Sequence, residues 1–400
     1  MTNPVQNKHI VLGVTGSIAA YKAADIASKL TQQGALVDVV LTESAARFIA
    51  PITFQSVTGR KAYIDENLWD GEGHVTHIGL GHNADLILIA PISANTMAKL
   101  AHGSGDNLLS VTTLASDCPL MIAPAMDAGM YDHAATQANV KILKERGIVF
   151  IGPEAGHLAS GLVGLGRMSE PAKIISAVRW IMGKSGPLAD KKIVVSAGPT
   201  REALDPVRFL SNHSSGRQGY AIAQAALDMG ADVTLISGPT NLTAPYGVDL
   251  VPVTNAAEMT DAVLNESQNA YALIMAAAVA DFRPSKTAAE KIKKGGNTLT
   301  LELESTTDIL KSVAAQKEDT GFPKHSIGFA AESQDLIKNA QSKLERKSLD
   351  LIVANDITAP GAGFAGTTNQ VTLLFADGRQ EVLPMQEKSV VAEAIIKTLC

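Results

Sequence analysis

Glycine and hydroxyl residues crowd the stretch Gly13-Val14-Thr15-Gly16-Ser17, between a short apolar run and a segment of helical spacing. Free backbone N–H groups and the helix dipole at such a turn favour an anion such as a phosphate. The spacing is not the GxGxxG dinucleotide fingerprint, and Leu41-Thr42-Glu43-Ser44 offers a hydroxyl first where that fingerprint wants a carboxylate. Three further polar segments, Pro91 to Thr96, Pro124 to Tyr131 and Gly156 to Arg167, follow or adjoin apolar runs. Open α/β sheets hold ligands beyond the carboxyl ends of their strands, so the convergence of these loops says more than any one of them. His77 precedes the run Ala84 to Ala90. A neutral imidazole takes a proton near pH 7, although a solitary histidine is ordinarily a surface or cap residue. A second cluster, Ser196 to Glu202, Asp205 to Arg208 and Ser211 to Gly219, is denser in polar and basic groups than a plain loop requires. Lys291 to Lys294 would ordinarily be a solvated charge run, and Lys343 with Lys347 an i,i+4 pair on an exposed helix.

The elements that must position these residues follow from periodicity. Ile10 to Val14 reads as a buried strand, Thr15 to Ser17 as a turn, and Ala19, Ala23, Ile26, Ala27 and Leu30 recur at helical spacing before Gly34. Leu36 to Leu41 is the next strand. The pattern returns in the second half with strand Lys192 to Ala197, a Gly/Asn/Ser loop, helix Tyr220 to Met229 and Gly230. Ala84 to Ala90, Pro119 to Ala123 and Ile148 to Ile151 read as further interior strands of a parallel sheet, and Leu273 to Ala278, Ser326 to Ala330 and Leu351 to Ala354 play that part in the second half. Thr298 to Leu303 alternates like a strand, Gln370 to Phe375 and Gln380 to Leu383 flank Asp377-Gly378 as a hairpin, and Ala276 to Ala280 reads most simply as tightly packed strand. The expected fold class is α/β: two Rossmann-like domains, each a mainly parallel sheet flanked by helices. The joint is expected in Gly183 to Asp190, dividing the chain into 1–188 and 189–400.

Composition narrows the function classes. Four hundred residues exceed one usual core, and 46% apolar with 18% charged residues is a globular balance that excludes long disorder and collagen-like structure. A net charge of −6 gives no basic field for DNA or RNA, though a local pocket of Lys and Arg can still take one nucleotide. Two cysteines, Cys118 and Cys400, provide neither a disulfide framework nor a zinc set, and no apolar run approaches the ~20 residues of a membrane span. The expectation is a cytoplasmic protein without nucleic-acid or membrane partners.

The first-half residues resemble the flavin-dependent cysteine decarboxylases, through GVTGSIAAYK, His77-Ile78, APISANTMAKLAHGSGDNLL, PAMDAGMY and LASGLVGLGRM. The resemblance implies a flavodoxin-like domain in which Gly16, Ser17, Ile18, Thr42, Phe54, Ser93, Ala94, Asn95 and Thr96 hold FMN, His77 is catalytic, and Met130 and Arg167 meet the substrate. It implies oxidation of the cysteine thiol to a thioaldehyde, an electron sink that lets CO2 depart, before the electrons return. Two positions depart from the family pattern. Asp127 stands where an Asn usually holds the substrate carboxylate, so Asp127 is either protonated or the recognition is arranged differently. Ser160 stands where a Cys usually supplies a proton, and an unactivated hydroxyl is a much weaker acid than a thiol.

The second half closely resembles the phosphopantothenate–cysteine ligases, through SAGPTRE, DPVR, SNHSSGRQG, AAAVADF, Lys291-Ile292-Lys293-Lys294, GFAAE and Ala354-Asn355-Asp356-Ile357. The resemblance implies a nucleotide-binding ligase that couples 4'-phosphopantothenate to cysteine through an acyl-cytidylate, using CTP with Mg2+. Lys291 would meet the α-phosphate, Asn212 the acyl-cytidylate, and Arg208 the substrate. Met275, Ala276, Ala277, Asp281, Thr307, Asp308, Ile309, Leu310, Phe329, Lys343 and Lys347 would frame the nucleotide. Together these imply a bifunctional enzyme of coenzyme A biosynthesis, assembled as a homo-oligomer, a dodecamer of decarboxylase trimers and ligase dimers. The alternative is a working ligase fused to an impaired or regulatory FMN-binding module; a non-enzymatic scaffold and an NAD dehydrogenase are weaker readings.

Overall fold

The computed structural model describes residues 3–70, 75–293, 299–332, 335–356 and 366–400. The chain divides between residues 182 and 183 into two compact units. In the first, six parallel strands are β1 (His9–Val14), β2 (Leu36–Leu41), β3 (Ala62–Tyr63), β4 (Leu86–Ile92), β5 (Leu120–Pro124) and β6 (Val149–Phe150), ordered β3-β2-β1-β4-β5-β6. With the two-residue β3 set aside, the order is that of a flavodoxin-like sheet, reversing between β1 and β4. Every residue of β4 and all of β1 beyond His9 are buried, because helices cover both faces. The helix Ala20–Gln32 turns Ala20, Ala23, Ile26, Ala27 and Leu30 inward, and Gly34 ends it at φ +87°, a backbone state that suits glycine. An antiparallel pair, β7 (Glu154–His157) and β8 (Val163–Arg167), forms from the glycine-rich stretch.

In the second unit the main sheet uses β9 (Lys192–Ala197), β12 (Asp232–Ser237), β13 (Asp249–Pro252), β14 (Ala272–Met275), β17 (His325–Glu332), β18 (Leu351–Asp356), β19 (Thr368–Phe375) and β20 (Gln380–Glu387). Between them lie two antiparallel pairs, β10 (Glu202–Ala203) with β11 (Phe209–Leu210), and β15 (Phe282–Pro284) with β16 (Leu303–Ser305). The order β13-β12-β9-β14-β17-β18 is all parallel and reverses between β9 and β14; the expected hairpin, β19 and β20, then extends it antiparallel.

Two local expectations change. The alternating segment Thr298 to Leu303 is not a strand over its length: Thr298 lies outside the described residues, and pairing is confined to Leu303–Ser305 opposite Phe282–Pro284. The strand expected over Leu273 to Ala278 stops at Met275, so Ala276 to Ala280 is loop, not packed strand. Lys294 and Ile357 also lie outside the described residues. At the expected joint, Gly183 closes the helix Pro171–Gly183, and the buried Leu188 donates its N–H to Met229 O at 2.9 Å, so residues 183–188 pack with the second unit.

The helix Arg217–Asp228 crosses β9 at a separation set by Gly219, where a Cβ would stand 2.5 Å from Ala197 Cβ and 2.9 Å from Ser196 O. Gly219→Ala is expected to cost about 1–3 kcal/mol through overpacking, seen as a lower urea midpoint for the second unit's transition.

Candidate functional sites

At the reversal between β1 and β4, Thr15 joins the two strand-end loops: its Oγ1 donates to Pro91 O at 2.9 Å and accepts from Ser93 N at 2.9 Å. Thr15 is 1% exposed. Ser93 then caps the helix Ala94–His102 by accepting from Thr96 N. Opposite it, the helix Ala20–Gln32 begins at Ala19 with no side-chain cap, although Ala19 N, Ala20 N and Lys22 N already donate within the turn, to Ser17 Oγ, Ser17 O and Ala19 O. A cavity of about 450 Å³ opens here. Its walls include Gly16, Ser17, Ile18, Ser93, Ala94, Asp127, Met130, Ser160 and Arg167, together with Lys22 and His157.

The two residues that depart from the family pattern touch each other across this cavity. Ser160 Oγ donates to Asp127 Oδ2 at 2.6 Å, while Gly129 N donates to Asp127 Oδ1 at 3.0 Å. A sequence separation of 33 residues hides this pair from local pattern. On the neighbouring wall Glu170 binds both Lys22 Nζ, at 3.0 Å, and Arg167 Nη2. The Lys22 hydrogen bond above all, with Arg167 beside it, holds the Glu170 carboxyl below the usual glutamate range.

The second unit repeats the arrangement between β9 and β14. Ser196 Oγ accepts from Ala277 N at 3.1 Å, Thr200 Oγ1 accepts from Ala280 N at 3.0 Å, and Asn212 Nδ2 donates to Ala278 O at 2.7 Å. A cavity of about 300 Å³ lies beside this loop, walled by Met275, Ala277, Asp281, Thr307, Asp308, Ile309, Leu310, Phe329, Lys343 and Lys347. Lys343 Nζ donates to Phe329 O at 2.8 Å, and Lys347 Nζ pairs with Asp308, which also caps the helix Ile309–Thr320 through Lys311 N. Burial pushes the Lys347 ammonium below the usual lysine range, with Asp281 opposing.

The Flavoprotein family model matches residues 2–182, and the model for the DNA/pantothenate metabolism flavoprotein C-terminal domain matches 188–400. The coenzyme A biosynthesis bifunctional protein CoaBC of Bacillus subtilis is 45% identical over 398 residues, covering 99% of this chain and 97% of its own. The proteins of that name from Vibrio cholerae and Escherichia coli are 45% and 42% identical, over 97% of this chain and 97% and 96% of theirs. The chain belongs to the CoaBC family. It is a bifunctional enzyme of coenzyme A biosynthesis, with decarboxylase and ligase activities.

Within this CoaBC chain the cavities gather most, but not all, of the residues expected from sequence. Phe54 is fully buried in the core, Thr42 and Thr96 are buried, and Asn95 is on the exposed side of its helix; none of the four lines the first cavity. His77 lies on the helix Thr76–Asn83, away from the cavity of its own unit, with Nδ1 buried and unpartnered among the described residues. Ala276 and the exposed Lys291 are not walls of the second cavity. Arg208 is engaged with Asp205 and with Ile292 O, and its side chain remains 43% exposed. Conversely, Lys22, Thr15, Ser196 and Thr200 were given no role from sequence. Their signal was burial of a polar residue beside a strand end, which only the fold reveals. Among the described residues no cluster of three His, Cys, Asp or Glu side chains is disposed to hold a metal, and no helix is long and apolar enough to cross a membrane.

The antiparallel flap rests on the Asp127 loop by direct backbone contact: Met126 N donates to Gly166 O at 3.0 Å, and a Cβ on Gly166 would fall 2.2 Å from Met126 O. Gly166→Ala is therefore expected to lift β8 from this loop. Hydrogen exchange at the Met126 amide should accelerate, while exchange in β1 and β4 stays as it was.

Proposed function

We propose that the first unit decarboxylates 4'-phosphopantothenoylcysteine with FMN, and that the second makes that compound from 4'-phosphopantothenate, cysteine and CTP. The observation that carries this reading is the position of the two cavities, each at the reversal point of its own sheet and each lined by several of the residues expected for its half of the chemistry. Two free cysteines suit a reducing cytoplasm.

FMN fits the residues of the first cavity. The uncapped helix start at Ala19 suits its phosphate, and a Cβ on Gly16 would stand 2.6 Å from Ser44 Cβ, so only glycine leaves that turn in place. Gly16, Ser17, Ile18, Ser93 and Ala94 would hold it. Bound there, the flavin supplies the reversible two-electron oxidation that makes the thiol-bearing carbon an electron sink. Arg167, steadied by Glu170, would face the substrate carboxylate. Loss of CO2 leaves an enethiol two hydrogens short of the product, which would need the two electrons back from the flavin together with protons. Asp127, once protonated, would pass one such proton through the Ser160 hydroxyl, replacing the thiol that Ser160 lacks.

In the second unit, attack of the 4'-phosphopantothenate carboxylate on CTP concentrates negative charge on phosphate oxygens. Lys343 and Lys347 are held at the cavity, and Mg2+ would arrive with the phosphates. Lys291 would meet the α-phosphate, and Asn212, fixed on Ala278 O, the acyl-cytidylate. The cysteine amine then displaces CMP. We propose trimers of the first unit and dimers of the second. Ile18, Tyr21 and Met130 at the first cavity, and Val207, Phe209 and Phe282 in the second unit, are large exposed apolar groups of the kind subunit contacts cover; native mass measurement tests this.

Incubation of the FMN-loaded chain with 4'-phosphopantothenate, cysteine, CTP and Mg2+ should yield 4'-phosphopantetheine by mass spectrometry. Arrest at phosphopantothenoylcysteine would favour an impaired decarboxylase, and absence of coupling would end the ligase reading. Asp127→Asn should make a decarboxylated product two hydrogens lighter accumulate, and Ser160→Cys in that background should restore the full product. An Asp127→Asn product mixture identical to the native one would remove Asp127 from the proton path.

A further inference from the structure

Asp205 sits in the exposed turn between β10 and β11, yet its side chain is 0% exposed. Its carboxylate accepts five hydrogen bonds, more than the turn needs. Oδ1 takes the turn's own amides, Val207 N at 2.8 Å and Arg208 N at 2.9 Å. Oδ2 takes Arg208 Nε at 3.0 Å, Arg208 Nη2, and Ile292 N at 3.1 Å. The same Nη2 donates to Ile292 O at 2.8 Å. Both backbone polar groups of Ile292 are thus gripped by one ion pair that lies 84 to 87 residues earlier in the chain. Upstream, Ala288 N donates to Leu204 O at 3.0 Å and Thr287 Oγ1 to Ala203 O at 3.2 Å, which seats the segment along β10. Ile292 is half-buried, and Lys291 and Lys293 on either side are exposed.

We propose that Asp205 and Arg208 are positioning residues for the ligase reaction, clamping Ile292 so that the adjacent Lys291 stands in one place when the nucleotide phosphates arrive. The proposal rests on Lys291 being the lysine that meets the nucleotide. A carboxylate needed only for the turn would use Oδ1; the burial of Oδ2 against a distant peptide is what a clamp requires. A buried carboxylate with five donors stays ionised far below neutral pH, so the clamp does not loosen where the enzyme works.

Asp205→Asn separates the two roles, because the amide keeps an acceptor for Val207 N and Arg208 N but presents an NH2 group to Ile292 and the guanidinium. In the full chain, hydrogen exchange at the Ile292 amide should rise about tenfold or more, and trypsin should cut faster after Lys291 and Lys293. Pyrophosphate release from CTP and 4'-phosphopantothenate should fall roughly ten- to a hundredfold in kcat, with the KM for CTP little moved. Decarboxylation of supplied 4'-phosphopantothenoylcysteine checks that the chain is intact. Should Asp205→Asn not fold, Ile292→Pro removes the N–H that Oδ2 accepts, while also fixing φ at 292 and restricting Lys291, and is expected to give the same loss. Unchanged exchange at Ile292, or a freed segment with undiminished pyrophosphate release, overturns the clamp. A fully active Lys291→Ala chain would instead overturn the role of Lys291, while the exchange measurement still decides whether Asp205 holds the segment.

Discussion

Each sheet reverses its winding beside its first strand, and there the loops leaving two neighbouring strands must part to opposite faces. A few backbone bonds still join them there, Thr15 N to Pro91 O in the first unit and Ala278 N to Gly198 O with Thr200 N to Ala278 O in the second. A buried hydroxyl adds to them in both units. Thr15 Oγ1 bridges Pro91 O and Ser93 N, and Ser196 and Thr200 take Ala277 N and Ala280 N. Thr15 is 1% exposed and Ser196 and Thr200 are 0% exposed, so each hydroxyl works where water does not compete and where a lost partner would leave a buried amide unsatisfied. The crevice stays open because the loops diverge; it keeps a fixed shape because those bonds limit how far.

The chemistry-bearing additions hang on these fixed crests by few contacts, each of high quality. The β7–β8 flap lies against the Asp127 loop through Gly166 and through the Ser160–Asp127 bond. The segment carrying Lys291 lies along β10 through the Asp205–Arg208 pair. Both pieces are short antiparallel or irregular elements with little apolar burial of their own, so polar contacts set their position. A carboxylate suits that task in each case, since it accepts several donors at once and leaves its partner's backbone correctly oriented.

The parts of this design written locally were legible in the sequence. Strand, turn and helix showed in β1 to β2 and again in β9 to β12 because a strand buried on both faces must be continuously apolar and its helix must repeat at 3.6 residues. The loops that meet at the crevices were legible for the same reason, as each immediately follows a strand. Alternation misled over Thr298 to Leu303, where polar and apolar residues alternate without a sheet for most of them to join. Being near a cavity in sequence does not fix which face of a helix a residue takes: neither Phe54, fully buried, nor Asn95, exposed, lines the first cavity. The Ser160–Asp127 and Asp205–Ile292 contacts were invisible, because nothing in either stretch specifies a partner 33 or 87 residues away.

The first of those contacts joins the two positions, 127 and 160, that depart from the pattern the resemblance implies. Asn and Asp share shape but not charge, and an isolated ionised Asp127 would repel a substrate carboxylate arriving in the same cavity. Bonded to Ser160 and to Gly129 N, the Asp127 charge is already shared with two donors. The same wall carries two cations, Lys22 and Arg167, against the single Glu170, so with Asp127 ionised these four groups sum to zero, and only a protonated Asp127 leaves net positive charge for an anionic substrate. Within the proposed decarboxylation the hydroxyl gives the acid a hydrogen-bond partner, and the acid, when protonated, would give the hydroxyl a source of protons that it lacks alone.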